Sequence, residues 1–340
     1  MLTKITLVVF FIYNKKTKIF HLALSIIIST YKNVEFLPEL FNSIENSNYD
    51  KEYEVLVGID SCDETLEYIY NNTFSNNHSF YYFFNNGGPY LIKNTLCDIS
   101  KFDKVLFFDS DDIMLPDLLK TIDESLDIYD VIKPKYLDFK DEEGERKYVG
   151  KEKTFGEGVF GIKKDLFLYM NGFEGWRVAA DSDFMGRLYK TNKKVLHTQR
   201  VLLHRRIHEN SLTVHPETNL SSTLRGSFFL KSKKKGVNDV INKELKKSKY
   251  QKVDFENRDS LKTLSQIESE KEITEFEEKK IKHDSISKIF SKNYVNTSKS
   301  KPTKTIDYGR LNEQSKNSTI STFTNAIKKA KLENLGRKYR

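Results

Sequence analysis

The 340-residue chain has only two cysteines, Cys62 and Cys97. Two thiols build neither a disulfide framework nor a cysteine-rich metal cluster, and they fit a reducing compartment. Long apolar runs are scarce as well. Ile5 to Tyr13 is apolar over nine residues, too short for a bilayer crossing, which takes about 20. The basic residues Lys15, Lys16 and Lys18 follow this run instead of preceding it, and no small-residue cleavage site comes after. Both features are wrong for a signal peptide. We read residues 1–21 as a leader segment, either a short strand or a disordered stretch, with a peripheral membrane contact as the alternative. The expected location is cytoplasmic, peripheral to a membrane at most. No glycine-rich phosphate loop opens the chain; Ser29-Thr30-Tyr31 stands where one would be. No internal repeat is present.

Charge is unevenly spread. The net charge is +8, with 38% hydrophobic and 31% charged residues, so a core is possible along part of the length only. Residues 231–340 hold 28 Lys and Arg against 15 Asp and Glu, a balance of +13. Residues 1–230 hold 28 basic and 33 acidic residues, a balance of −5. A mildly acidic body therefore carries a basic tail. From about Leu230 apolar density falls. Glu268–Lys282 reads as a charged helix and Lys292–Thr305 as disordered. Lysine clusters occur at Lys231-Ser232-Lys233-Lys234-Lys235 and over 243–252. Such clusters bind polyanions and anionic membrane surfaces. Three roles stay open for the 230–340 tail: a solvated, partly helical extension, a hold on an anionic membrane surface, or a hold on nucleic acid.

The body shows strand and helix in alternation. Leu22–Thr30 is an unbroken apolar, β-branched run, as in a strand buried on both faces. Phe36, Leu37, Leu40, Phe41 and Ile44 follow at helical spacing. Tyr53–Ile59, Phe80–Phe84 and Lys104–Phe108 are three further strands. Helices are expected at about 64–70, 89–100 and 116–129. Four alternations predict a mostly parallel α/β sheet flanked by helices. The rhythm then changes to a hairpin (131–139 with 147–155), short helices near 163–170 and 181–189, and a strand at 201–206.

Each of the first four strands ends in polar residues, and in a parallel sheet these ends share one edge, where ligands bind. Asp60 can accept from a ribose hydroxyl or a base N–H. Gly87 and Gly88 permit close backbone approach, and the helix that follows favours an anion at its N-terminus. Lys93 adds positive charge one turn on. Asp109-Ser110-Asp111-Asp112 ends the fourth strand. Carboxylates this close repel unless a cation neutralises them, and an oxygen-only site suits Mg²⁺ or Mn²⁺ held jointly with substrate phosphates. The alternative is an acidic turn capping the next helix. Asp181 and Asp183 open a later helix, either as a general base apart from the metal or as cap and first-turn acid. Trp176, the only tryptophan, is a sugar-stacking platform for the acceptor or a core residue. Arg205 and Arg206 pair with phosphate or face solvent.

The order LSIIISTYKN, EVLVGIDSCDET, NNGGPYLIKN, KVLFFDSDDI resembles the GT-A fold glycosyltransferases of the family 2 type. The last block is similar to that family's DXD motif, Asp109-x-Asp111. Gly172-Phe173-Glu174-Gly175-Trp176 and Ala179-Ala180-Asp181-Ser182-Asp183 resemble its acceptor segment and ED motif. His204-Arg205-Arg206-Ile207-His208-Glu209-Asn210-Ser211 resembles its closing R-x-H-x-x-S block. The resemblance covers about residues 22–215, and the expected domain is 22–229. It implies an inverting transferase with a nucleotide-sugar donor, a UDP-sugar first, and a hydroxyl acceptor on a glycan, a lipid-linked carrier or another polymer. Thr30 and Asp60 would hold the nucleoside, and Asp109 the ribose or the metal. Asp111 would ligate Mn²⁺ or Mg²⁺, His208 would add a metal or diphosphate contact, and Asp181 would be the base. The motif's usual Glu is Ala180 here, which leaves Asp183 to share the load. Two rivals stand beside this reading: a nucleotidyltransferase, and a polyanion-binding protein with a degenerate transferase body.

Overall fold

The computed structural model describes residues 23–154, 158–233 and 243–261. The leader 1–21, the helix expected at 268–282 and the segment 292–305 lie outside the described residues. The first apolar run forms β1 (Leu24–Thr30). Ile26 and Ile28 feed one core while Ile27 feeds the other, because successive strand residues point to opposite faces. With β2 (Tyr53–Asp60), β3 (His78–Phe83) and β4 (Lys104–Asp109) it makes a parallel run in the order β3-β2-β1-β4. Register pairs Thr30 with Ile59 and Ser29 with Asp109. The polar strand ends therefore meet at one edge, as the alternation implies. Helices α1 (Leu37–Glu45), α2 (Asp63–Tyr70) and α3 (Pro89–Ile99) connect these strands. α3 lies so close to β2 that a Cβ on Gly58 would sit 2.2 Å from Ile92 Cγ2.

Beyond β4 the chain forms β5 (Ile113–Met114) and α4 (Leu118–Leu126). The expected hairpin follows as β6 (Val131–Glu142) and β7 (Glu145–Lys153). Next come β8 (Phe160–Lys163), α5 (Lys164–Tyr169), α6 (Ala180–Leu188) and β9 (Val195–Arg206). The sheet extends as β4-β8-β6-β9-β5, with β8 antiparallel between β4 and β6 and with β6 parallel to β9. The result is the α/β architecture that the resemblance implied. Phe107, Phe160, Phe167, Phe173 and Phe184 form an aromatic cluster, with Phe107 and Phe167 centroids 4.8 Å apart and Phe167 and Phe173 5.0 Å apart. This cluster ties β4 to α6 and so fixes two acidic segments on one scaffold.

The domain end expected at 229 falls inside α7 (Thr223–Lys233). Residues 243–261, which the sequence reading placed in the tail, return to the body. β10 (Tyr250–Lys252) pairs antiparallel with β3. Val253 and Leu261 are buried in the core around β1 and β2. Lys246 pairs with Glu174, and Lys247 lies 2.9 Å from Asp98. Asn94 Nδ2 donates to the Lys246 carbonyl at 2.8 Å. The physical cause is twofold: the acidic body supplies partners for the lysines, and the open edge of β3 supplies ladder groups. Among the described residues no helix is long and apolar enough to cross a membrane.

Candidate active site

Thr30, Asp60, Lys93, Asp109, Asp111, Asp181 and His208 all line one cavity of about 280 Å³ at the carboxyl edge of the sheet. The three-carboxylate cluster is resolved into three different environments. Asp109, the last residue of β4, accepts from Lys93 Nζ at 2.6 Å. Lys93 is 2% exposed, and a buried ammonium needs a counter-charge; it neutralises Asp109 instead of standing free for a phosphate. Asp111 Oδ2 lies 2.9 Å from His208 Nε2. Asp112 is buried and accepts the Arg206 backbone N–H at 3.0 Å, with Oδ2 unpartnered among the described residues. Burial pushes its carboxyl well above the usual range, and the charges of Asp111 and Asp109 add to the effect.

Neither arginine of the closing block is free for phosphate. Arg205 makes a bidentate pair with Asp138, 2.7 Å from Nε and 3.1 Å from Nη2. Arg206 pairs with Glu39 and Asp141 and donates from Nε to the Asp111 carbonyl at 3.0 Å. It therefore braces the loop that carries Asp111.

At the end of the cavity expected to take the nucleoside, the buried Thr30 Oγ1 has no partner among the described residues. Asp60 accepts the backbone N–H groups of Gly87 at 3.1 Å and Gly88 at 3.0 Å. Burial pushes the Asp60 carboxyl up to about 6, against the pull of those two amides. Gly88 does not line the cavity; its φ of +85° launches α3, and its Cα faces the Arg177 backbone. Lys32, Ser61 and Ala179 also have positive φ. A non-glycine residue there costs about 1–2 kcal/mol. Each follows a site element or precedes one, where such strain tends to collect.

The second acidic segment splits in the same way. Asp181, in the first turn of α6, accepts the Ser182 N–H at 2.8 Å and lines the cavity together with the buried Tyr90. Tyr90 is held well above its ordinary range, first by burial and then by the Asp181 charge. Asp183, expected to share the base's work, does not reach the cavity. It is fully buried and pairs with Arg187 Nε at 2.9 Å. Arg187 in turn donates to the carbonyls of Met170 at 2.6 Å and Gly172 at 2.7 Å. Ala180 is fully buried beside Phe184 in the aromatic core, where a glutamate would lose its solvation. Trp176 lines no part of the cavity; its ring stacks on Phe228 of α7 at 4.8 Å and 12°. Sequence reasoning missed Tyr90 and Arg225, both on the cavity wall: Tyr90 stands inside the NNGGPYLIKN block but reads there as an apolar helix residue, and Arg225 lies outside every quoted block.

The divalent ion implied by the resemblance has a half-site here. Among the described residues no three His, Cys, Asp or Glu side chains are gathered as a cage. Asp111 and His208 nonetheless meet at the cavity wall, and an O and N pair of this kind fits a metal whose shell is completed by phosphate oxygens.

Among known proteins, the chain is similar to the poly(ribitol-phosphate) beta-N-acetylglucosaminyltransferase TarS of Staphylococcus aureus strains Mu50 and MW2, at 35% identity over 101 residues. That stretch is 28% of this chain and 17% of each of those proteins, well under two thirds of their length. Of solved structures, S. aureus TarS 1–349 in complex with UDP-GlcNAc matches with TM-score 0.47 and 23% identity over 56% of this chain and 60% of that one. Mannosyltransferase PcManGT from Pyrobaculum calidifontis, in complex with GDP-Man and Mn²⁺, gives TM-score 0.46 and 15% identity over 55% and 58%. Both structures are too distant to transfer a residue's role. A family model matches residues 25–196, slightly more than half of the chain. That range runs from the start of β1 into β9 and carries both acidic segments of the cavity, and by this match the chain belongs to glycosyl transferase family 2.

Proposed function

We propose that this protein moves a sugar from a nucleoside-diphosphate donor to a hydroxyl group by single displacement, with inversion at the anomeric carbon. The observation that carries the reading is one cavity lined both by the strand-edge acids Asp109 and Asp111 and by Asp181 from a separate helix. Transfer needs those two chemistries side by side but not on one group. The acceptor oxygen bonds to the sugar's C1 as the bond from C1 to the outer phosphate oxygen breaks. The acceptor proton passes to Asp181, and the nucleoside diphosphate leaves with the electron pair. A general base in reach contributes about 10²–10⁴-fold. The Ser182 N–H, donated to Asp181 at 2.8 Å, orients that carboxylate, and Tyr90 stands on the same cavity wall. Thr30 and Asp60 sit at the nucleoside end. A divalent ion would be held by Asp111 with His208, and Asp109 beside it; when bound, it neutralises the leaving diphosphate as a Lewis acid.

The matched S. aureus proteins are named for transfer of N-acetylglucosamine to poly(ribitol phosphate), which makes a UDP-sugar and a polymer acceptor the first substrates to try. The test is release of nucleoside diphosphate from a panel of UDP-, GDP- and TDP-sugars with Mn²⁺. Release that falls at least about a hundredfold in Asp111→Asn supports the reading, since a Lewis-acid metal supplies several kcal/mol. Release of pyrophosphate or monophosphate would instead indicate nucleotidyl transfer. No turnover with any donor would overturn transferase activity.

A further inference from the structure

Four lysine and arginine side chains line the cavity: Lys93, Arg205, Arg206 and Arg225. Three of them are held by carboxylates, as described above. Arg225 is different. It lies in α7 and is 6% exposed. Its Nε donates to the Thr218 carbonyl at 2.9 Å and its Nη2 to the Leu212 carbonyl at 3.0 Å. Among the described residues no carboxylate pairs with it. A guanidinium carries five N–H donors, so two carbonyls leave most of its capacity unused. Burying a cation without a counter-charge is unfavourable. Among the described residues, the cavity therefore presents a desolvated, pre-oriented cation with no carboxylate paired to it.

Arg225 also stands close enough to Tyr90 for its charge to act on the Tyr90 hydroxyl. The helix that carries Arg225 packs against α6, which carries Asp181, so the guanidinium stands on the Asp181 side of the cavity. We propose that Arg225 is the ligand of the outer phosphate of the donor's nucleoside diphosphate. The planar fork of arginine suits two phosphate oxygens at once. This assignment rests on the donor reading above. It has a structural corollary: the guanidinium that takes the phosphate also holds Leu212 and Thr218, so the donor would tighten the segment between them over its own outer phosphate.

The experiment compares UDP with UMP by calorimetry, in Mn²⁺, on the full chain. The wild type is expected to bind UDP more tightly than UMP. Arg225→Gln should weaken UDP about tenfold to a hundredfold, the range for a hydrogen bond to a charged group, and leave UMP within about twofold. Arg225→Lys keeps the charge without the fork and should fall between. If Arg225→Gln does not fold, Arg225→Lys carries the test alone, with UDP weakened and UMP unchanged. Variants that lower UDP and UMP equally, or neither, overturn the assignment while leaving the donor reading intact. If the wild type prefers GDP, the same comparison runs with GDP and GMP. A wild type that binds no nucleoside diphosphate overturns the donor reading and the assignment together.

Discussion

The two acidic segments of this protein, Asp109–Asp112 at the end of β4 and Asp181–Asp183 at the start of α6, divide their labour alike and by different means. In each, a partly exposed carboxylate on the cavity wall, Asp111 or Asp181, has a buried neighbour, Asp112 or Asp183. Asp111 meets His208 and Asp181 accepts the Ser182 N–H. The buried partner of the first segment, Asp112, is given a backbone N–H and two like-charged neighbours. The buried partner of the second, Asp183, is given a guanidinium. A carboxyl group surrounded by negative charge and low dielectric drifts toward its neutral form, whereas one facing an arginine has a counter-charge supplied. The difference shows that a run of aspartates is not one chemical unit. What each does is set by the partner the fold brings to it.

Four substitutions or conditions probe that contrast. The largest effect is expected at Asp181. Asp181→Asn should lower sugar transfer by about 10²–10⁴-fold with little change in Tm, read as nucleoside diphosphate release. An equal loss from Asp183→Asn without destabilisation would reverse the roles assigned here. Next comes Arg187→Met, which leaves Asp183 as an uncompensated buried charge. Urea denaturation should register a loss of about 3–5 kcal/mol. The double variant Asp183→Leu with Arg187→Met should regain most of it, because a buried ion pair replaced whole by apolar side chains is close to neutral.

A smaller effect concerns Asp60. Its carboxyl is raised to about 6 by burial. Above that pH it is ionised and both oxygens accept, one from Gly87 and one from Gly88. As pH falls through 6 one oxygen takes a proton and ceases to accept. The glycine turn that launches α3 then loosens, and donor binding should weaken by about tenfold per pH unit if one protonation controls it. A UDP titration from pH 5 to 8 should show an inflection near 6 that is absent in Asp60→Asn. An inflection that survives in the variant would assign it elsewhere.

Much of this was legible from sequence, and the rest fails for identifiable reasons. Unbroken β-branched runs marked β1 and β2, and their polar ends marked the site, because a parallel sheet leaves no other place for them. β5 and β10 were not legible. Each is two or three residues long and is held by partners far along the chain. Asp183 was legible in principle: residues two apart on a helix do not share a face, and Arg187, four residues on, was the partner to look for. Trp176 was not, since Phe228 lies in a stretch without a motif. Asp111 and Asp112 are neighbours in sequence. Only the pairing of β5 with β9 decides which of them turns inward.

That last distinction yields the smallest and most discriminating effect. Asp112 is buried and its carboxyl is held well above its usual range, a shift that favours its neutral form. Asn has the same shape, keeps an oxygen for the Arg206 N–H, and places an amide where Oδ2 has no partner. Asp112→Asn should therefore change stability by less than about 1 kcal/mol below pH 4, within the net worth of one hydrogen bond. The pH dependence fixes the sign. A carboxyl whose folded value lies above its unfolded one of 3.8 takes up a proton on folding between those two values. It therefore favours the folded state at low pH, and that contribution is lost as pH rises toward the folded value. The variant should gain on the wild type as pH climbs from 4 and show no advantage below it. The same Asp→Asn change at residue 183 removes a charge that Arg187 needs, and it should cost several kcal/mol at pH 7. Equal losses at 112 and 183, measured as urea midpoints at pH 5 and pH 8, would dissolve the contrast between the two segments.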